Sequence, residues 1–316
     1  MIHTLGLSPS LDVVYVLDSV TAGSIHRPRS VVRLAGGKSL NVSRALARLG
    51  RPVRAVAPLA GPLGDLVADL LAPTGVELVR LATTAPTRMC VSAADESAGT
   101  LTEFYEHAPP ADGTELEQVE RALVDVAAGD WLVLSGSVPE GTDLDRFAGV
   151  LAGVRGRGAR LAVDTHGPVL PLLLAVARPD VLKINRAEAA ELVGRDPSDL
   201  VELGTAVRAA GADVLVLTDG SAGAVGWDDH GGWRVTTDAP PGGYPVGSGD
   251  CFLAGLVAGL AGEAPLPEAL VTAAAVGAAN AAVPGGALFD DATLAHLRGR
   301  TRAVGLDAGV PARVRM

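Results

Sequence analysis

"LAGGKSLNVSRALARLG", Leu34 to Gly50, joins a glycine-rich turn to a helical pattern. Gly37-Lys38-Ser39 has the ending of a phosphate-binding P-loop, so the fold turns on whether this stretch wraps phosphates. A P-loop needs G-x-x-x-x-G-K-[ST], so that successive backbone N–H groups cradle the ligand. Counting back from Gly37, the first glycine position holds Val32, and the residue that lets the chain turn tightly is missing. What remains is different chemistry. Gly36 and Gly37 let backbone approach a ligand with no Cβ between. Lys38 offers a cation, and Asn41 an amide that both donates and accepts, at the start of a helix. The set suits a polyhydroxylated small molecule, with or without an anionic group. It also suits a plain helix entry with a solvated lysine.

Outward from this stretch, short apolar runs alternate with helical patterns. "IHTLGL", "RPVRAVAPLA", "DWLVLSGS", "RLAVDT", "PDVLKIN" and "ADVLVLTDG" are mostly continuous, as strands buried on both faces of a parallel sheet are. Helices are expected between them at Asn41–Leu49, Asp65–Leu71, Leu116–Ala127, Leu144–Gly153, Arg186–Val193 and Leu200–Ala210. The alternation predicts one doubly wound α/β domain over residues 1–316. Two segments break it. Asp12–Leu34 and Arg88–Glu106 each read as a pair of strands around "TAGS" and "DESAGT", predicting a small β lid at the carboxyl edge of the sheet. Ordinary surface hairpins are the alternative.

Composition narrows the function. The formal charge of −10 argues against general nucleic-acid binding, which needs a basic surface. Aromatic residues make up 3%, so the core must be mostly Ala, Val and Leu, which suits closely packed helices on a sheet. Cys90 and Cys251 lie in apolar contexts with no His/Cys cluster, so neither a disulfide nor a zinc site is expected and a reducing cytoplasm is. "MIHTLGLSPSLDVV" lacks the pattern of a signal peptide. The uncharged run Ala269–Phe289 is broken by Asn280 and Pro284-Gly285-Gly286, which predicts a buried helix and a turn, not a membrane span.

Two further constellations carry chemistry. In "YPVGSGDCFLAGLVAGLAG", Tyr244–Gly262, small residues lead into a long apolar helix. Unpaired N–H groups and the helix dipole make such a terminus an anion site. Gly247, Ser248 and Gly249 would aim those groups at a phosphate, with Asp250 beside it as a base or, alternatively, as a helix cap. A dinucleotide fingerprint is absent, because Phe252 stands at its third glycine. In "KINRAEAAELVG", Asn185 ends a strand and Glu188 opens a helix, where polar groups can hold hydrated Mg²⁺ beside nucleotide phosphates. Thr218 and Gly220 in "LVLTDGSAGAVGW" end another strand, where a nucleotide could lie.

Together and in order, these pieces resemble the ribokinase-like (PfkB) carbohydrate kinases over essentially the whole chain. "AGGKSLNVSRALARLG" is similar to the family's first signature and "VGSGDCFLAG" to its second. "SGSVPEG" at 135–141, "VDTHGP" at 163–168 and "KINRAEAAEL" at 183–192 match further segments. "LSPSLD" near the start and "TR" at 87–88 look most like the sugar-phosphate branch, which includes 1-phosphofructokinase and tagatose-6-phosphate kinase. The resemblance implies a ribokinase-like three-layer fold, with a mostly parallel sheet between helices and a β lid that often forms a homodimer contact. It implies phosphoryl transfer from ATP with Mg²⁺ to a sugar or sugar phosphate, with a monovalent cation as a further candidate cofactor. Asp12, Gly36, Gly37 and Asn41 would hold sugar hydroxyls. Lys38 and Arg88, with Arg27 as a helper, would meet the substrate's own phosphate. Asp250 would be the base and Gly247–Gly249 the anion hole. Asn185 and Glu188 would govern Mg²⁺ and the ATP phosphates, and Thr218, Gly220 and Asn280 would fall in the adenine-nucleotide region.

Several positions depart from the family pattern. Ser8 replaces asparagine in "NPALD"-like starts, Ser39 the glycine after "GGK", Cys90 the asparagine of "TRxN" and Ile184 the proline of "KPN". Tyr244 precedes Pro245 where a small polar residue is commoner. The competing readings are a kinase of an unphosphorylated sugar or nucleoside, and a non-catalytic sugar or nucleotide sensor.

Overall fold

A computed structural model describes residues 1–111, 113–195, 199–208 and 211–306. Its strands, in chain order, are β1 Ile2–Leu5, β2 Ser10–Leu17, β3 Ser30–Gly36, β4 Val53–Pro58, β5 Glu77–Leu81, β6 Arg88–Asp95 and β7 Thr100–Tyr105. They continue with β8 Trp131–Ser135, β9 Arg160–Asp164, β10 Val181–Asn185, β11 Val214–Thr218, β12 Ala224–Asp228, β13 Gly231–Thr237 and β14 Thr301–Gly305. The large sheet has the order β14-β13-β12-β11-β10-β9-β8-β1-β4-β5. It is parallel from β5 across to β11, and β12, β13 and β14 finish it antiparallel.

From β1 the order proceeds to β4 on one side and to β8 on the other. That reversal opens a crevice beyond the carboxyl ends of β1 and β8, where open α/β sheets bind ligands. Both faces of the sheet are covered. Val133, Ala162, Val181 and Val216 join one core with the helices Lys38–Arg48, Ser248–Ala261 and Leu266–Ala281. Leu132, Leu134, Leu161, Leu182 and Leu215 join a second core with the helices Glu115–Ala122, Leu144–Gly156 and Leu200–Arg208. Two apolar faces are why the strand runs are continuous instead of alternating.

The helix expected at Leu116–Ala127 ends at Ala122, because Leu123 and Val126 turn into the second core. The last two residues of the one expected at Leu200–Ala210 lie outside the described residues. Small side chains bring the helices Ser248–Ala261 and Leu266–Ala281 close together. A Cβ on Gly255 would stand 2.8 Å from Ala273 Cα, and one on Gly259 would stand 2.9 Å from Ala269 Cα. Among the described residues no helix is long and apolar enough to cross a membrane.

A separate four-stranded sheet has the order β3-β2-β6-β7. The pairs β2–β3 and β6–β7 are antiparallel hairpins, and β2 runs parallel to β6 with Ser10 opposite Arg88 and Asp12 opposite Cys90. Only Gly6–Pro9 separate β1 from β2, so the small sheet starts directly above the crevice. At its tip, the Tyr244 hydroxyl donates to Glu96 Oε1 at 3.2 Å, tying the β6–β7 turn to the segment that enters the helix Ser248–Ala261.

Candidate active site

The parallel register brings polar strand ends side by side. Ser135 pairs with Asp164, and Asn185 with Thr218. Asp164 is fully buried at the end of β9, and a carboxylate there needs cations. Lys183 Nζ donates to its Oδ2 at 2.8 Å and Lys38 Nζ to its Oδ1 at 3.3 Å. Burial alone would raise the Asp164 carboxyl, but the two ammonium groups outweigh it and hold it below the usual carboxylate range. Lys38 Nζ also reaches Glu188 Oε1 at 3.4 Å. Asp164 first, then Glu188 and Asp250, keep Lys38 charged against the cost of its burial.

Asp250 stands in the first turn of the helix Ser248–Ala261, buried, at the meeting of both halves of the chain. Gly247 precedes the helix in the left-handed region at φ 78°, and a Cβ there would lie 3.0 Å from Gly286 Cα. A Cβ on Gly249 would lie 3.2 Å from Lys183 Nζ. Glycine is therefore favoured by the left-handed turn at Gly247, and at Gly249 it lets the Lys183 ammonium approach closely. The Ser248 amide is taken by the Pro245 carbonyl at 3.0 Å. The amides of Gly249 and Asp250 head the helix, where no preceding carbonyl lies in helical register. Asp250 is not the helix cap. Its Oδ2 accepts from Asn41 Nδ2 at 2.9 Å. Burial pushes its carboxyl up to about 7, with Asp164 adding to the rise and Lys38, Asn41 and Lys183 opposing it. A carboxyl poised there can accept a proton at neutral pH.

On the small-sheet side, Ser10 Oγ donates to Asp12 Oδ1 at 2.6 Å and the Gly37 amide to Oδ2 at 3.4 Å. Burial nonetheless raises the Asp12 carboxyl above its ordinary range. The two signature glycines are dictated by this packing. A Cβ on Gly36 would fall 2.0 Å from Asp12 Cγ, and one on Gly37 would meet the Ser8 and Pro9 backbone at 2.9 Å. Arg88, at the start of β6, donates to the carbonyls of Glu106 at 2.8 Å and Ser8 at 3.2 Å. Its buried Nε has no partner among the described residues. Arg27 lies exposed on the connection between β2 and β3.

On the other side, Asn185 and Glu188 form a reciprocal cap. Asn185 Oδ1 accepts from the Glu188 amide at 2.9 Å, and Glu188 Oε2 accepts from the Asn185 amide at 2.8 Å. The pair thus caps its helix, and Glu188 still turns Oε1 toward Lys38. Thr218 ends β11, and Gly220 opens a short turn at φ 53°. Asn280 is fully buried, and its whole amide is engaged. Nδ2 donates to the Val246 carbonyl at 2.8 Å and Ser248 Oγ at 3.1 Å, while Oδ1 accepts from the Ala287 amide at 2.7 Å. It braces the glycine turn, and no polar atom is left over to read a base.

Two charged residues at the centre, Asp164 and Lys183, were not singled out from the sequence, although "VDTHGP" and "KINRAE" both drew notice. The available signal was a charge within or at the end of an apolar strand, at the carboxyl edge of a parallel sheet. Arg44 was also missed, because on a helix after a glycine turn it reads as a solvated basic residue. Ser39, Cys90 and Ile184 each have a local setting. A Cβ on Gly6 would collide with Ser39 Oγ, so Gly6 makes the room that Ser39 fills. Cys90 is buried opposite Asp12, and Ile184 is a core residue of β10.

Comparison with known proteins shows the family and the fold. The pattern of the pfkB family carbohydrate kinases matches residues 5–292. The chain belongs to that family, and it is a carbohydrate kinase with the ribokinase-like α/β fold. It is 31% identical to a tagatose-6-phosphate kinase of Staphylococcus epidermidis over 287 residues, covering 89% of this chain and 92% of the relative. Phosphofructokinase-2 of Escherichia coli, in complex with substrates and products, superposes with a TM-score of 0.88 at 27% identity, over 94% of this chain and 98% of that one. The same enzyme has been solved in complex with potassium and as a tetrameric inhibited form. A possible 1-phosphofructokinase of Thermotoga maritima shares the fold, with a TM-score of 0.83 at 20% identity over 97% of this chain and all of that one.

Proposed function

We propose that the protein transfers the γ-phosphoryl group of ATP to a hydroxyl of a ketohexose phosphate, of the fructose 1-phosphate, fructose 6-phosphate or tagatose 6-phosphate type. The observation that carries the reading is Asp250, a buried carboxyl with its acidity near neutral, at a helix N-terminus and facing two lysines. The named activities of the tagatose-6-phosphate kinase and phosphofructokinase-2 relatives support the substrate class.

In this reading the acceptor lies between the two sheets, with Asp12 and the Gly36–Gly37 backbone against its hydroxyls and Arg88 on its existing phosphate. Arg27 is the second cation for that phosphate. Asp250 takes the proton of the attacking hydroxyl. The amides of Gly247, Gly249 and Asp250 receive the negative charge of the group in transfer, the Ser248 amide being taken by the Pro245 carbonyl, and Lys38 and Lys183 lie beside it. This moves Lys38 from the substrate's own phosphate, where the sequence put it, because Asp164 and Glu188 draw it toward the strand ends. It also moves Asn41 from sugar to Asp250, since both ends of its amide are occupied. Thr218 and Gly220 border the nucleotide, and Asn280 acts through the turn it braces.

Among the described residues no three His, Cys, Asp or Glu side chains cluster as a metal cage. That suits Mg²⁺, which is held by phosphates and water with one or two carboxylates. Glu188, with Asn185 behind it, would hold it through water, and the ion would supply charge neutralisation on the phosphates. A monovalent cation is a further candidate cofactor, as phosphofructokinase-2 has been solved with potassium. The small sheet is a lid, closing to exclude water. Val31, Phe104 and Tyr105 are exposed on it and suit a homodimer contact there. An ATP-using enzyme of sugar phosphates belongs in the cytoplasm.

An ADP-release screen over the three ketohexose phosphates, the free ketoses, ribose and nucleosides tests the reading. Preferred turnover of a phosphorylated ketose is expected. Preference for a free sugar or nucleoside would replace the substrate class, and ligand binding without ADP would make the protein a sensor.

A further inference from the structure

We propose that Arg44 is a positioning residue, which locks the Asn41 amide in the single orientation that donates a hydrogen bond to Asp250. Only its kinetic consequence rests on the kinase reading above.

Arg44 sits one turn after Asn41 on the helix Lys38–Arg48 and is 5% exposed. Its Nη2 donates to Asn41 Oδ1 at 2.8 Å, its Nε has no acceptor, and among the described residues it forms no ion pair. Burying a guanidinium with one amide acceptor and no ion pair is costly: burial works against its charged form, and Asp12 and Asp250 offset this only through space. The return on that cost lies in the geometry. The two ends of an asparagine amide are nearly isosteric, but guanidinium has donors only. If the Asn41 amide flipped, Nδ2 would face Arg44 donor to donor, and Oδ1 would face the Asp250 carboxylate acceptor to acceptor. With Arg44 in place only one orientation is satisfied at both ends. Gly286 completes the fit, since a Cβ on it would crowd Asn41 Oδ1 at 3.1 Å.

A donated hydrogen bond favours the charged form of a carboxyl. The other groups bearing on Asp250 are Lys38, Lys183 and Asp164 from the strand ends, Cys251 on its own helix, whose thiol burial pushes up to about 12, and the Arg44 charge itself acting directly through space. Asp12 lies on the Arg44 side. Lys38 and Lys183 would turn to phosphates once substrates bind. The contact from Arg44 through Asn41 does not depend on them, and so keeps Asp250 ready to accept a proton through the cycle.

The test is a titration of Asp250 in the ligand-free full chain, followed by carboxyl ¹³C NMR of labelled aspartate, with the resonance assigned by its loss in Asp250→Asn. Arg44→Met is expected to raise the midpoint by roughly one unit. In parallel, kcat/KM at pH 6 should fall about tenfold and recover by pH 9. Arg44→Lys, which keeps a donor, should restore most of both. A midpoint that stays or falls in Arg44→Met would overturn the proposal and leave Arg44 a packing residue. If Arg44→Met does not melt cooperatively, Asn41→Ala and its combination with the neutral Arg44→Gln decide. Asn41→Ala must raise the midpoint and the second change must add nothing; separate, additive shifts would refute a shared path. If no acceptor yields ADP in the unmodified protein, the kinase reading fails while the carboxyl titration still decides the role of Arg44.

Discussion

Asn41 and Asp250, 209 residues apart, meet across 2.9 Å with the amide donating to the carboxylate. The contact joins the two glycine-rich helix starts of the chain. It stands where the large sheet's crevice, the strand-end lysines and the small sheet converge, and it places a buried proton acceptor beside Lys38 and Lys183.

Asp250→Asn is expected to lower turnover by ~10²–10⁴ while ATP still binds, as measured by ADP release and calorimetry. For the unmodified protein, kcat/KM should rise with pH through about 7, where the Asp250 carboxyl ionises. The same variant should gain stability. The folded-state value of Asp250 is raised from 3.8, so its favourable contribution is present below that pH and is lost as pH rises through about 7. Each unit is worth roughly 1.4 kcal/mol, so by pH 8 the charged, buried carboxylate costs up to about 4 kcal/mol. Thermal melts should therefore place Asp250→Asn above the unmodified protein at pH 8, with the gap shrinking by pH 5.

Gly36→Ala tests the sugar side without touching the nucleotide side. The new Cβ would fall on the Asp12 carboxyl, which must swing away. The expected outcome is a rise in acceptor KM of at least tenfold, with ATP affinity unchanged by calorimetry. Equal loss of both would mean that the two sites are not separable at Asp12.

Arg88→Ala separates phosphorylated from free acceptors. A charge-assisted hydrogen bond is worth about 1.5–3 kcal/mol, so KM for a ketose phosphate should rise roughly tenfold to a hundredfold. The KM for the corresponding free ketose should barely move. Parallel losses on both would shift the substrate toward an unphosphorylated sugar.

Glu188→Gln removes a charge while leaving an oxygen to accept from the Asn185 amide, so the capping box persists. Loss of the partly exposed Lys38 ion pair should cost no more than about 1 kcal/mol. The Mg²⁺ concentration for half-maximal rate should rise ~10-fold or more, as when a metal's outer partner is lost. An unchanged Mg²⁺ requirement would confine Glu188 to capping.

The fold was legible because its signals are local. Continuous apolar strands and helical spacing define a doubly wound sheet, and "TAGS" and "DESAGT" mark the hairpins. Gly36, Gly37, Gly247 and Asp250 stood out because a glycine turn before a helix has few uses. Asp164 and Lys183 did not, because each is one charged residue in an apolar strand. Their meaning comes from the neighbouring strand, which register supplies and sequence does not. Lys38 shows the same limit: its charge was plain in the sequence, but its direction depends on Asp164 and Glu188, which reach it only in the folded chain.

Returning to Leu34–Gly50, the sequence alone determined that this stretch is no P-loop, that a helix follows the glycine turn, and that the family signature lies here. Periodicity and glycine placement act over a few residues and can be read one at a time. Tertiary structure alone decided that Lys38 faces two carboxylates, that Ser39 fills the space above Gly6, and that Arg44 is buried against Asn41. Those outcomes depend on which distant groups are buried together, where a missing hydrogen-bond partner is costly enough to choose between side-chain orientations.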